Sequence, residues 1–559
     1  MKLPVGIDDF SKIINNDYDL VDKSLFIKDI IEDGAEVILI TRPRRFGKTI
    51  NMSMLECFFG SQNKQEKNLF YNLEISKYTD LCTKHQNKYP VIFITFKSIY
   101  DNNYQDAEKS VLALIASIYS KFKELVWDVL EQEEQDYYQN ILSLQAGVVE
   151  IKYSLSKLSY FLYKKTKVKS IILIDEYDAA IHSGYIHGYY DEITNLIRGV
   201  FGEALKGNQY LEKAVLTGIT VIASESLFSG LNHFKGYGVL QTKYSACFGF
   251  TEGETIDFCS KAKLSLNMQE IKKWYNGYLF GSNIIYNPWS IINCLNNNGE
   301  LDAYWVNTSQ NLLLKRLLGQ SGTELKASFE QLLQNNSVAQ PIEDNLIFPD
   351  LDRSNAAVWT LLLNTGYLRV DSTLKRRGRV IANLAIPNEE IKIIYEKIFE
   401  NWFECSSKLS ITHYEYFINS LKNNKLDIFE KILQDYISES GSYFDFNKNT
   451  KEQVFHSFFL GLVVGLREDY IIQSNQEAGF GRFDLAFIPK NKTMAGIILE
   501  FKTTGQSNEL EKFANHAINQ AVDKKYALSF KQHGIKDVCL IGVAFCGKEL
   551  KLLSKNINL

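Results

Sequence analysis

EVILITRPRRFGKTINMSML, residues 36–55, decides the fold of the first half of this chain. EVILIT is a short β-rich apolar run, and from Thr49 onward TINMSMLECFF has helical apolar spacing. Between them the basic turn RPRRFGKT (42–49) ends in Gly47, Lys48 and Thr49. A strand-to-helix turn with this ending can cradle phosphate: backbone N–H groups point at the anion, and the helix N-terminus adds positive potential. Gly47 lets the backbone approach, Lys48 can reach the β- and γ-phosphates, and the Thr49 hydroxyl can bind Mg²⁺. Arg42 stands where such a loop ordinarily has its first glycine. On these residues alone, a basic turn without a ligand fits equally well.

The segments downstream shift that balance. IILIDE (171–176) is an apolar strand ending in two acids. Asp175 would hold Mg²⁺, directly or through water, and Glu176 would polarise an attacking water as general base. A strand ending at a solvated acidic turn is the alternative. Finding both motifs in order, with the strand VIFITF (91–96) between them, favours a two-part ATP site. KAVLTGI (213–219) is a fourth strand, expected to lie between the other two. Thr217 at its tip either reads the γ-phosphate or water, or simply caps the strand before Gly218. Arg44, Arg45, Phe46, Gly47, Lys48, Thr49, Asp175 and Thr217 are the expected nucleotide contacts. Strands alternating with helical stretches predict a mostly parallel α/β sheet.

With 559 residues the chain is too long for one core. The pattern changes near 250 and again near 445. The expected division is a P-loop ATPase domain at 1–250, a mainly helical lid or linker region at 251–440, and an α/β domain at 441–559. A net charge of −4 gives no bulk pull toward nucleic acid, so any such binding must be local. Eight scattered cysteines form no CxxC pair, which fits reduced thiols and a cytoplasmic setting. MKLPVGIDDF lacks a secretory core, and FFLGLVVGL (458–466) is too short to span a membrane. In the middle, YLRVDSTL and RVIANLAI read as a hairpin joined through KRRG. The cluster KRRGR (375–379) either touches nucleic-acid phosphates or is a solvated turn. The aromatic-rich WYNGYLF and YNPWSI either stack bases or pack Trp274 and Trp289 against the ATPase domain.

EAGFGRFDLAFIPKNKTMAGIILEFKTT (477–504) reads as two strands around a polar turn. If the hairpin is symmetric about residue 492, paired positions sum to 984 and Asp484 faces Glu500. Facing Cβ atoms lie about 4.5–5.5 Å apart, and alternation puts Lys502 on the face of Glu500. Two carboxylates this close call for a proton or a cation. Hard oxygen ligands suit Mg²⁺ or Mn²⁺, and the lysine could orient or deprotonate a water for attack on a phosphodiester. A simple cross-strand ion pair is the alternative. Gly479 and Gly481 permit close backbone approach.

TRPRRFGKTINMSML, LIDEYDAAI, LTGITVIASESLFSGLN, WYNGYLFGSNIIYNPWSI, YWVNTS and LLLNTGYL resemble the AAA-ATPase-like family found with a C-terminal nuclease-like domain. The ExK hairpin resembles the PD-(D/E)XK nuclease superfamily, which implies a restriction-endonuclease-like α/β fold. The resemblance makes Asp484, Glu500 and Lys502 the core and Glu452 an extra metal-binding acid, with Gln520 lining the site. His456, one turn beyond Glu452, either joins them or is a satisfied core histidine. The family usually lacks the first P-loop glycine and keeps the Arg-Pro-Arg-Arg run, so Arg42, Arg44 and Arg45 could touch phosphates or an acidic neighbour. One departure stands out: Val221 and Ser224 replace cations common in the family. If those cations assist hydrolysis, this chain turns ATP over slowly. Arg198 is a possible substitute, or lies on a solvated face. The implied function is an ATP- and metal-dependent nuclease acting on DNA, possible as a homo-oligomer that borrows a neighbour's arginine. The alternatives are a nucleotide-gated regulatory or defence switch with little or no cutting, and a scaffold with two decayed sites. The intact Lys48, Asp175, Glu176, Asp484, Glu500 and Lys502 argue against the scaffold.

Overall fold

The computed structural model describes residues 1–61, 69–222, 234–305, 323–333, 336–343, 346–395, 411–440, 459, 463, 466, 469–474, 477–478 and 481–559. Contacts group them into two compact units, Met1–Thr308 with Ser337–Ile391, and Ser309–Asn336 with Lys392–Leu559. The central stretch 251–440 is thereby shared between the two.

The first unit is built on a parallel sheet of β1 (Val37–Thr41), β2 (Val91–Thr95), β3 (Ser170–Asp175), β4 (Leu211–Gly218) and β5 (Phe234–Tyr237). Their spatial order is β2-β3-β4-β1-β5. β1 and β3 are buried along their whole length, which is why each reads as an unbroken apolar run rather than an alternation. Helices Phe10–Asn15, Leu25–Glu32 and Lys48–Phe59 bring Phe10, Phe26, Leu55 and Phe58 onto Ile38, Ile40, Leu173 and Val215. Helices Tyr104–Val126, Val148–Thr166 and Tyr190–Leu205 pack against β2, β3 and β4. β4 lies between β1 and β3, pairing Thr217 with Ile40 and Leu216 with Ile174. The C-terminal ends of the three strands therefore meet, the crevice where open α/β sheets bind ligands.

Between 250 and 391 helices alternate with two small antiparallel sheets. One joins Phe250–Thr251, Tyr278–Phe280 and Asn283–Tyr286. The other joins Val338–Ile342, Arg369–Arg376 and Arg379–Ala385, the last two being the hairpin read in the sequence.

The second unit carries a mixed sheet in the order Tyr470–Ser474, Leu485–Pro489, Gly496–Thr503, Asp537–Cys546, Glu549–Asn558. The third and fourth strands run parallel and the other pairs antiparallel. Helix Leu510–Asp523 packs on this sheet. The helix ends at Asp523. Lys525 takes a left-handed φ of 55°, and Tyr526–His533 continues as tighter 3₁₀ turns. Of residues 450–467 only Phe459, Val463 and Leu466 are described, and they join the core. The seven described cysteines are free thiols. No helix among the described residues is long and apolar enough to cross a membrane.

Candidate functional site

Lys48 opens the helix Lys48–Phe59, with Gly47 as N-cap at φ 83°. Arg42 keeps a negative φ, and its N–H donates to Gly218 O at 3.1 Å, prolonging the β1–β4 ladder. The position of the missing glycine therefore has a backbone that needs no glycine. Thr49 Oγ1 donates to Asp175 Oδ2 at 2.8 Å, and Thr217 Oγ1 donates to Asp175 Oδ1 at 2.5 Å. Lys48 Nζ, buried, donates to the carbonyls of Arg42 and Pro43 at 3.0 Å each. Burial raises the Asp175 carboxyl above its ordinary value; the Thr217 and Thr49 hydroxyls and Lys48 oppose this, while adjacent Glu176 adds to it. Burial likewise lowers Lys48, against the pull of Glu176, Asp175 and Asp178. Glu176 sits at φ 50°, a backbone region uncommon for a non-glycine residue and concentrated at sites that aim a side chain.

Two residues escaped the sequence reading. Asp178, buried, accepts from the N–H groups of Ile219 and Thr220 at 2.9 Å each and from the Thr220 hydroxyl at 3.0 Å. Tyr177 donates its hydroxyl to Thr220 O at 2.7 Å and accepts from Ile222 N–H at 3.0 Å. Together they pin the turn that follows Thr217. Gly218 is what allows this: a Cβ there would lie 2.5 Å from the Tyr177 ring and 2.9 Å from Asp178 Oδ1. The signal, a Tyr-Asp pair directly after the two acids, was in the sequence, but its partners become visible only once β4 lies beside β3.

The arginine run is divided in its use. Arg42 was expected at a phosphate or an acidic neighbour; instead it is fully buried and donates to the carbonyls of Thr41, Tyr237, Gly238 and Tyr244. Its guanidinium also lies over the rings of Phe248 and Phe280. Burial lowers its pKa to about 10, which still leaves it charged at neutral pH. Arg44 donates to the Tyr100 hydroxyl at 3.0 Å, and its carbonyl accepts from Trp305 Nε1 at 3.4 Å. Arg45 stacks 4.0 Å over the Trp289 ring, the packing role read for that tryptophan. Phe46, placed among the nucleotide contacts, has its ring fully buried against Tyr278 and Phe280, so its backbone alone is left to meet a phosphate. Trp305 packs in turn on Tyr367. Tyr278, Phe280, Trp289, Trp305 and Tyr367 thus supply an aromatic wall behind the loop. Arg42→Met should take a donor from four carbonyls; those of Gly238 and Tyr244 keep a backbone partner in Gln241 and Cys247, and those of Thr41 and Tyr237 lose most, at about 1–3 kcal/mol for an unsatisfied group. The expected result is a loss of roughly 3–5 kcal/mol in chemical denaturation, with the m-value unchanged.

Val221 is half-buried and uncharged, its carbonyl accepting from Leu346 N–H at 2.8 Å. Arg198 donates to Asn195 at 3.1 Å, one turn back on its own helix. Ser224 lies outside the described residues.

In the second unit the hairpin pairs Leu485 with Leu499, Ala486 with Ile498 and Phe487 with Ile497. This is the register whose positions sum to 984. Asp484 and Glu500 interlock across it: Asp484 N–H donates to Glu500 Oε1 at 3.1 Å, and Phe501 N–H donates to Asp484 Oδ2 at 2.8 Å. Glu500 Oε2 accepts from Gln520 Nε2 at 2.9 Å, and Gln520 also bonds Tyr526, a neighbour the sequence did not flag. Lys502 Nζ donates to Phe501 O at 2.9 Å. Leu499 and Phe501 face one core, while Ile498 faces another with Ala486 and Tyr526. Alternation thus puts Glu500 and Lys502 on the face of Ile498. Glu452, His456 and Gly479 lie outside the described residues, and no cluster of three acids, histidines or cysteines forms among those described.

Gln520 reaches Glu500 because Gly542, paired with Glu500 on the next strand, lets the helix close in. A Cβ on Gly542 would lie 2.2 Å from the Ala514 carbonyl oxygen. Gly542→Ala should push the helix off the sheet, at about 1–3 kcal/mol of overpacking, and break the Gln520–Glu500 bond. Thermal melting would register the first effect, and amide exchange along Leu510–Asp523 the second.

The family described as Predicted AAA-ATPase matches residues 4–228, and the PD-(D/E)XK nuclease superfamily matches residues 450–555. The first segment is thus similar to an AAA-ATPase-like domain and the second to a PD-(D/E)XK nuclease superfamily domain. Both mainly hydrogen-bonded groups, Asp175 with Thr49 and Thr217, and Asp484 with Glu500, fall inside the matched segments. The chain is also similar to an "Uncharacterized protein in vnfD 5'region" of Azotobacter chroococcum mcd 1, 28% identical over 397 residues, covering 70% of this chain and 68% of the relative. The AAA-ATPase-like domain ends its matched segment near the turn held by Tyr177 and Asp178. The aromatic wall behind its loop comes from residues beyond that segment.

Proposed function

We propose that the protein binds and hydrolyses ATP in its AAA-ATPase-like domain and uses the nucleotide to control metal-dependent cleavage of DNA by its nuclease domain. The observation that carries the cleavage reading is the interlocked pair Asp484 and Glu500 with Lys502 two residues on. The donor chemistry fits a divalent cation, because two hard carboxylates meet across one strand pair. Asp484, Glu500 and Glu452 would hold Mg²⁺ or Mn²⁺, which when bound supplies Lewis-acid stabilisation of the phosphodiester. Lys502 orients the attacking water, and Gln520 fixes Glu500. In the nucleotide site Thr49 and Asp175 would hold Mg²⁺, and Lys48, with the loop backbone from Arg44 to Gly47, binds the phosphates. Glu176 takes the proton of the attacking water, while Thr217 reads the γ-phosphate. Free thiols suit a reducing compartment such as the cytoplasm.

One observation favours a second reading, a nucleotide-gated switch that cuts little. Uncharged Val221 stands where a cation is common in the family, so hydrolysis relies on a neighbouring copy's arginine or is slow. The test is to incubate the purified chain with DNA or RNA, with Mg²⁺, Mn²⁺ or EDTA, with and without ATP. DNA cutting that requires a divalent cation is the expected result. Cutting in EDTA, or none under any condition, would overturn the cleavage reading.

A further inference from the structure

The hairpin Arg369–Arg376 and Arg379–Ala385 takes no part in either site. Its third strand, Val338–Ile342, pairs no further along than Val380, so residues 376–379 extend past the sheet. Every residue from Asp371 to Arg379 is exposed. Lys375, Arg376, Arg377 and Arg379 make no ion pair among the described residues, and the one acid of this exposed run, Asp371, is paired with Arg369.

The tip is built against its own stability. Arg376 directly faces Arg379 at the end of the ladder, and facing like charges destabilise a strand pair. Arg377 and Gly378 turn the hairpin at φ 49° and 79°, a two-residue turn in which asparagine or aspartate suits the first position and arginine does not. Local rules broken together at one projecting point, without compensation inside the fold, indicate a contact made outside it.

We infer that this hairpin is a duplex-DNA contact, its four cations meeting backbone phosphates as the two-stranded ribbon enters the major groove. The groove of B-DNA is about 12 Å wide and admits such a ribbon, whereas the major groove of A-form RNA is too deep and narrow to be read. The inference rests on the DNA-directed reading above and adds the surface that recruits the duplex.

The test uses the full chain in EDTA with a short fluorescein-labelled DNA duplex, followed by anisotropy across a salt series. The triple variant Arg376→Thr, Arg377→Asn, Arg379→Thr removes three cations. It should melt at the same temperature or higher, because it relieves the facing charges and suits the turn, so unfolding cannot mimic the result. The slope of log affinity against log salt should fall by about 2.7, since each neutralised phosphate contributes about 0.9. The gap between the two proteins should then widen roughly fortyfold as salt drops from about 200 to about 50 mM. Equal affinity and equal slope in a protein that still cuts DNA with Mg²⁺ would overturn this inference and leave the nuclease reading standing. Hairpin-dependent binding without any cutting would do the reverse.

Discussion

Asp484→Asn should abolish DNA cleavage while leaving the fold intact. Asparagine keeps an oxygen that can accept the Phe501 N–H, so the lock between the two strands survives. What is lost is one of two facing negative charges, and with it the hold on a divalent cation. Such a cation is worth several kcal/mol to a developing phosphodiester charge, so the expected fall in rate is about a thousandfold or more, at roughly 1.4 kcal/mol per tenfold. Glu500→Gln should cost as much. Metal titration by calorimetry separates this from misfolding: the wild type binds Mn²⁺ and the variant does not, at unchanged melting temperature. A variant that still cuts at the wild-type rate would remove Asp484 from the chemistry.

The second large effect lies in the nucleotide site. Glu176→Gln should cut ATP hydrolysis by about 10²–10⁴-fold, the contribution of a positioned general base, without loss of ATP affinity. Lys48→Ala should lose affinity itself, because Lys48 is the cation buried against the loop carbonyls. Fluorescent-nucleotide binding and phosphate release, measured on the same preparations, distinguish the two. Equal hydrolysis by Glu176→Gln and wild type would leave Glu176 as the end of a strand and nothing more.

The hydrogen-bonded groups of both candidate sites were legible for different reasons. In the first unit, the likeness to P-loop ATPases of the additional-strand type implied that the strand of Thr217 lies between those leading to Lys48 and Asp175, and the sheet has that order. In the second, a single symmetric hairpin fixed which residues face, and the observed register follows that arithmetic. What escaped were residues whose partners are remote in sequence. Asp178 and Tyr177 gain meaning only from the turn after β4, and Gly542 only from the helix that lies on it. Arg42, open in the sequence to phosphates or an acidic neighbour, is buried under Phe248 and Phe280, which turns its guanidinium inward to carbonyls. Strands such as Phe234–Tyr237 and Glu549–Asn558 carry too little apolar signal to declare themselves.

The coupling of the two activities is the centre of this account, and one comparison tests it: the rate of Mg²⁺-dependent DNA cleavage with and without ATP, for wild type and Lys48→Ala side by side. ATP should change the wild-type rate and leave the Lys48→Ala rate unmoved. A wild-type rate indifferent to ATP, in a protein that demonstrably binds it, would contradict the claim that the nucleotide domain governs the nuclease.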